Sequence, residues 1–315
     1  MRVWRGEAVS EGAVVVALDL GGTGIKAALV RADGTSHYTE RHATGADRGP
    51  AAVMETVLSV AGGLADKARA DGLTPVAVGI AVPGVIDEVA GVAVWSANVG
   101  FRDVPLRDLA VARLGLPVAL GHDVRVGGVA EARLGAGRGS RHVLFVAIGT
   151  GIASAHVVGG SAYAGAHGAA GELGHIVVRP GGPRCGCGQL GCLEAVASAA
   201  AVGRRYGELA RTPATAADVA ARAAAGEELA GQVWRDTVDA LADGLLTGQT
   251  LYDAEVMVIG GGLAEAGSVL IDPLRAALRA RLTFHREPRL ARAALGDRAG
   301  SLGAALLALD YLEAS

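Results

Sequence analysis

The chain has 315 residues, more than one ordinary domain needs, so two domains are expected. Hydrophobic residues make up 51 % and charged ones 19 %, which excludes intrinsic disorder, and a formal net charge of -3 offers no basic field to nucleic acid or an anionic membrane. The apolar surplus is carried by Ala, Val and Gly, and the longest stretch without Asp, Glu, Lys or Arg, residues 142–171, contains three histidines and many glycines, so no membrane span is expected.

In chain order, residues 1–19 lack a signal peptide's apolar core with a small-residue cleavage site, and a cytoplasmic location is expected. Val14 to Leu18 and Ile25 to Val30 read as strands of a hairpin around Gly21-Gly22-Thr23-Gly24, with a third strand near Ser36 to Glu40. Pro50 opens a helix in which Met54, Val57, Leu58, Ala61 and Leu64 recur at helical spacing. Val76 to Val82 is the next strand, Trp95 to Pro105 an irregular stretch followed by a short helix, Pro117 to Leu120 a strand, and Asp123 the mouth of a helix reaching about Leu134. The order then restarts, with strands at Val143 to Ile148 and Ile152 to Val158 around Gly149-Thr150-Gly151. Glu194 to about Tyr252 is helical with breaks near Thr212-Pro213 and Gly226; a buried strand, Val256 to Ile259, runs into Gly260-Gly261-Gly262, and helices at Ser268 to Leu282 and Gly300 to Leu312 finish the chain. Two βββαβα-like halves, each opened by a hairpin around a Gly-Thr loop, predict a duplicated α/β fold with a cleft between its lobes.

The hairpin loops offer chemistry. In Asp19 to Lys26, Gly21, Gly22 and Gly24 let backbone N–H groups approach phosphate beside Thr23, and Asp19 at the strand end suits a phosphate-bound magnesium; the other reading is a tight hairpin with a surface carboxylate. The spacing is not that of a P-loop, and the segment leads into a strand instead of a helix. Gly149, Thr150 and Gly151 form a second such loop, and Gly261 and Gly262 would let a flat base lie against the backbone. Gly171-Glu172-Leu173-Gly174-His175 followed by Cys185, Cys187 and Cys192 supplies three thiolates and one imidazole, a closed tetrahedral shell for a structural zinc; three free buried cysteines are the alternative, and an odd number so crowded builds no disulfide framework. Asp123, after His122, can take a proton from an attacking hydroxyl, or simply cap its helix. Asn98, Glu172 and Glu194 are polar side chains in glycine-rich surroundings that could equally be plain loop residues.

These segments, with Val78 to Gly84, Asn98 to Leu106 and Gly260 to Gly267, resemble the ROK family (repressors, open reading frames, kinases), and within it the bacterial glucokinases, from Val14 to the C-terminus. The resemblance implies an actin-like, ribonuclease-H-like ATPase fold, with a smaller lobe from residues 1–122 plus 300–315, a larger lobe from 123–299 carrying the zinc, and ATP between them. It implies a kinase acting on the 6-hydroxyl of a hexose, with Asp123 as general base and sugar hydroxyls held by Asn98, His122, Asp123, Glu172, His175 and Glu194. Phosphates and magnesium would be held from Asp19, Gly21, Gly22, Thr23, Lys26, Gly149, Thr150 and Gly151, and the base from Gly261 and Gly262. His175 would turn one ring nitrogen to zinc and the other to the sugar. The family usually has Asn where this chain has His122, and its glucokinases commonly have Trp where this chain has Phe101. These departures leave glucose, another hexose or an N-acetylated amino sugar open as substrate and a weakly catalytic sugar-binding regulator as the alternative function; the sequence does not decide between ATP and polyphosphate as donor. A homodimer is expected by resemblance. Family repressors carry a DNA-binding domain ahead of the kinase-like part, and 13 residues before Val14 are too few for one, so no nucleic-acid partner is expected.

Overall fold

The computed structural model describes Gly12 to Ala314. The chain divides into two compact units: one holds the described residues up to Leu134, Ala164–Ala170 and those from Asp297 onward, and the other holds Gly135–Tyr163 and Gly171–Gly296.

The first unit contains β1 (Ala13–Leu20), β2 (Gly24–Arg31), β3 (Ser36–Ala43), α1 (Pro50–Ala70), β4 (Thr74–Val82), β5 (Val85–Asp87), β6 (Val92–Ser96), β7 (Phe101–Val104), α2 (Leu106–Leu114), β8 (Val118–His122) and α3 (Asp123–Arg133). The second contains β9 (His142–Ile148), β10 (Ile152–Val158), β11 (Ser161–Ala162), α4 (Leu193–Ala197), α5 (Ala199–Ala210), α6 (Ala216–Ala224), α7 (Glu228–Tyr252), β12 (Val256–Gly260), α8 (Ser268–Arg279) and β13 (Arg289–Arg292); α9 (Ala299–Ala314) then returns to the first.

The main sheet of the first unit runs β3-β2-β1-β4-β8 and that of the second β11-β10-β9-β12-β13. In both, an antiparallel hairpin is followed by two parallel strands on its inner edge, so the restart read from the sequence is a repeated topology. β1 is apolar along most of its length because both faces are covered. Val14, Val16, Leu18 and Leu20 join Val57, Ala61 and Leu64 of α1 in one core, while α9 packs against β1 and β4. In the second unit Leu144, Val146 and Ile148 of β9 form a core with Val233, Trp234, Leu241 and Leu245 of α7.

Two segments differ from the sequence reading. Most of the stretch expected to be irregular is β6 and β7, which with β5 make a small antiparallel sheet. Its exposed Val94, Trp95, Arg102 and Asp103 hide any apolar alternation, although Phe101 is buried. β13 has only Leu290 buried among its four residues and is a strand because β12 supplies its hydrogen-bond partner. Among the described residues, no helix is long and apolar enough to cross a membrane.

Parallel pairing fixes where the chemistry falls. Asp19 pairs with Ala81 of β4, Ala81 with Gly121 of β8, and Val82 with His122, so the C-terminal ends of β1, β4 and β8 deliver Asp19, His122 and Asp123 to one edge of one sheet. Ligand sites of open α/β sheets lie at such edges.

Candidate active site residues

At that edge the β1–β2 turn is closed by the Gly21 amide donating to the Gly24 carbonyl at 2.9 Å. Thr44, fully buried, buttresses it: its hydroxyl donates to the Gly21 carbonyl at 2.6 Å and its amide to the Thr23 carbonyl at 3.1 Å. Asn98, in the turn between β6 and β7, sits over this loop, where a Cβ on Gly22 would come within 3.2 Å of it. Asp19 lies 3.9 Å from the Lys26 ammonium, which also approaches Asp297 at 3.3 Å. The first turn of α9 passes so close to the Asp19 carboxylate that Gly300 has no room for a side chain. Burial, reinforced by the negative charges of Asp123 and Asp297 and opposed by Lys26, pushes the Asp19 carboxyl up to about 6.

The start of α3 departs from the simple alternative for Asp123. The residue that caps the helix is His122, with extended backbone (φ -73°, ψ 133°) and Nδ1 accepting from the Arg125 amide at 3.4 Å. Asp123 is therefore the first helical residue, and its Oδ1 accepts from the Val124 amide at 2.7 Å. Burial holds the Asp123 carboxyl above the ordinary carboxylate value, against the lowering effect of that amide and of Arg125. Burial and the Arg125 guanidinium push His122 down to about 4, so the ring is neutral at physiological pH.

Sequence reasoning missed the group behind it. Arg125 is buried, and its Nε and Nη2 donate to Glu88 Oε1 at 3.0 and 2.7 Å, while Nη1 donates to the Gly168 carbonyl at 2.8 Å. The same Glu88 oxygen accepts from the His122 amide at 3.3 Å. Arg107 fixes the turn that presents Glu88 by donating to the carbonyls of Glu88 and Val89. A lone Arg and a lone Glu in sequence read as surface charges, and nothing local signals that they meet.

In the second unit the β9–β10 turn, Gly149 to Gly151, rests on Glu194. The carboxylate accepts from the Ile152 amide at 2.9 Å and fills the space beside Gly151. The Gly171 to His175 turn lies flat on β10: the Gly171 carbonyl accepts from the Ser154 amide at 2.7 Å, and Gly171 itself has φ 102° with its missing side chain directed at the Ser154 carbonyl. Glu172 is exposed and His175 half-buried, with His175 Nε2 3.8 Å from Glu172 Oε2.

The other ring nitrogen, Nδ1, points to the cysteines. His175, Cys185, Cys187 and Cys192 place their ligand atoms within 4.8 Å of one another, with 3.6 Å from Nδ1 to Cys185 Sγ and 3.6 Å between the sulfurs of Cys187 and Cys192. Tetrahedral zinc with ordinary bond lengths separates its ligand atoms by roughly 3.5–3.8 Å, so the residues present fit that ion. Burial and the neighbouring sulfurs of Cys187 and Cys185 push the Cys192 thiol up to about 12.

Gly261 and Gly262, both exposed, follow β12, and an alanine-walled hollow of about 280 Å³ opens between α6 and residues 262–269. A larger groove of about 640 Å³ over Glu40, His42 and Lys67, along β3 and α1, is lined by none of the candidate site residues read from the sequence.

The ROK family signature matches residues 15–311. The glucokinase of Thermotoga maritima is 36 % identical over 280 residues, 83 % of this chain and 86 % of that protein. Among solved structures, a ROK hexokinase from Thermus thermophilus aligns with a TM-score of 0.85 at 34 % identity, covering 96 % of this chain and all of that one. A ROK family glucokinase from Streptomyces griseus, in complex with glucose and AMPPNP, aligns with a TM-score of 0.81 at 28 % identity, covering 94 % and 99 %. With the two repeated sheets, these likenesses bear out the actin-like ATPase fold.

The raised Asp19 carboxyl has a consequence for stability. It ionises more readily unfolded than folded, so its contribution to stability is intact below 3.8 and is lost as pH rises through about 6. Without magnesium and nucleotide, Asp19→Asn is expected to raise unfolding stability near neutral pH by up to about 3 kcal/mol, with the gain vanishing below 3.8. Thermal unfolding across that range measures it, and equal stability at neutral pH would contradict the account. For the cluster, Cys187→Ala is expected to abolish the zinc content and lower the Tm by about 4 °C or more, as loss of roughly 2 kcal/mol does in a chain of this size. Metal analysis alongside calorimetry tests this, and full zinc content in the variant would reject the shell.

Proposed function

The chain belongs to the ROK family and is a glucokinase-like sugar kinase, and on that premise we propose that it transfers the γ-phosphoryl group of ATP to the 6-hydroxyl of glucose or a closely related hexose, with Asp123 as general base. The observation that carries this is the delivery of two half-buried carboxylates, Asp19 and Asp123, to one strand edge, where loss of solvation raises both. One can face the cation and phosphates, while the other can accept a proton.

In this reading the sugar O6–H bond breaks as its oxygen attacks the γ-phosphorus. The proton passes to Asp123, and the bond from the γ-phosphorus to the bridging oxygen breaks, leaving ADP with the electron pair. Magnesium arriving with ATP would be held from the Asp19 side and would neutralise phosphate charge; Lys26, Gly21, Gly22, Thr23 and the Gly149 to Gly151 turn supply the remaining cationic and amide donors. Asn98, Glu172, His175 and Glu194 offer the spread of polar atoms that a ring of hydroxyls requires. A zinc ion held by Cys185, Cys187, Cys192 and His175 Nδ1 would fix the orientation of His175 and leave Nε2, beside Glu172, for a hydroxyl. Gly261, Gly262 and the alanine-walled hollow suit a flat base. Family resemblance adds a cytoplasmic homodimer to the reading.

A coupled ADP-release assay over glucose, mannose, fructose and N-acetylated amino sugars, with ATP and then polyphosphate as donor, tests the assignment. Glucose with ATP is expected to give the highest kcat/KM, and Asp123→Asn is expected to lower kcat by about 10²–10⁴-fold. Turnover unchanged in that variant would overturn the choice of base, and a higher kcat/KM for an amino sugar would overturn the choice of substrate.

A further inference from the structure

The residue before the base carries more than a helix cap. His122 is buried at the end of β8, and its two ring nitrogens have different neighbours. Nδ1 accepts from the Arg125 amide, which fixes the neutral ring as the tautomer with its hydrogen on Nε2. Nε2 lies 3.4 Å from Asp123 Oδ1. The contact is electrostatic, without a formed hydrogen bond, and a small rotation of the carboxylate would close it. Oδ1 already accepts from the Val124 amide, so closure would place both donors on one oxygen and leave Oδ2 to the substrate.

Resting on the kinase reading above, we propose that His122 is a positioning residue for the base: its Nε2–H holds Oδ1 of Asp123 so that Oδ2 meets the sugar hydroxyl. Glu88 and Arg125 serve this arrangement. Glu88 Oε1 grips the His122 amide and the Arg125 guanidinium together, and Arg125 supplies the amide that selects the tautomer. Because Arg125 Nη1 also holds the Gly168 carbonyl, residues 164–170 are tied to the start of the catalytic helix. Arg125 is buried and each nitrogen of its side chain donates within the protein, which suits a positioning role.

The test uses two substitutions that both keep a helix cap. In His122→Asn the amide can accept from Arg125 and still donate toward Asp123, whereas in His122→Ser the hydroxyl caps but cannot reach the carboxylate. Steady-state kinetics are expected to show His122→Ser losing kcat by about tenfold or more with the sugar KM within about threefold of the parent, and His122→Asn recovering most of kcat. A loss in His122→Ser confined to sugar KM would make His122 a direct sugar contact and overturn the proposal, as would a full kcat in that variant. A second readout does not depend on turnover. Nitrogen-15 NMR of the histidine rings in the resting protein is expected to show His122 neutral with its proton on Nε2, and a proton on Nδ1 would overturn the proposal whatever the chain phosphorylates. Absence of any sugar-dependent ADP release from the parent would refute the kinase reading, leaving the NMR result to judge the His122 arrangement.

Discussion

Burial of negative charge at the end of a sheet governs this molecule. Parallel register brings Asp19 and Asp123 to the same edge, where neither has the solvation a carboxylate prefers. Lys26 only partly compensates Asp19, at 3.9 Å and shared with Asp297. A site so arranged favours ligands that bring positive charge or offer a proton. In the proposed phosphoryl transfer magnesium would answer the first need and a sugar hydroxyl the second. The cost is borne by the folded protein, whose cores in each unit supply the stability that such a site withdraws.

Around these groups the structure spends many hydrogen bonds on holding short loops still. Thr44 clamps the Gly21 to Gly24 turn, Glu194 braces the Gly149 to Gly151 turn, and Ser154 pins the turn that presents Glu172 and His175. The cysteine cluster fits the same logic, since a metal closed in by four protein ligands would have no place for substrate and would only set the orientation of His175. Positioning of this kind suits a reaction whose catalysis rests on alignment and charge neutralisation.

Much of this was legible in the sequence because the signals were local. Apolar runs flanking Gly-Thr turns marked both hairpins, and their repetition marked the duplicated topology later seen in the two strand orders. The spacing of Cys185, Cys187 and Cys192 marked a cluster that fits a metal ion. What escaped was decided by partners distant in sequence. Nothing near Arg125 announces that its guanidinium is buried against Glu88, 37 positions earlier, and His122 taking the cap from Asp123 follows from backbone geometry at the strand end. The β6–β7 ribbon was masked by the exposed side chains of its own strands, and β13 exists only through pairing with β12.

The most direct measurement of the central claim is the pH dependence of kcat/KM for the phosphorylated sugar. A general base must be ionised to act, so the rate falls as pH drops through its pKa, and burial places the Asp123 carboxyl above the ordinary value of 3.8. The account predicts an acid limb clearly above that value. A rate that stays flat down to 3.8 would contradict it, because the carboxylate would then be as well solvated as one on the surface.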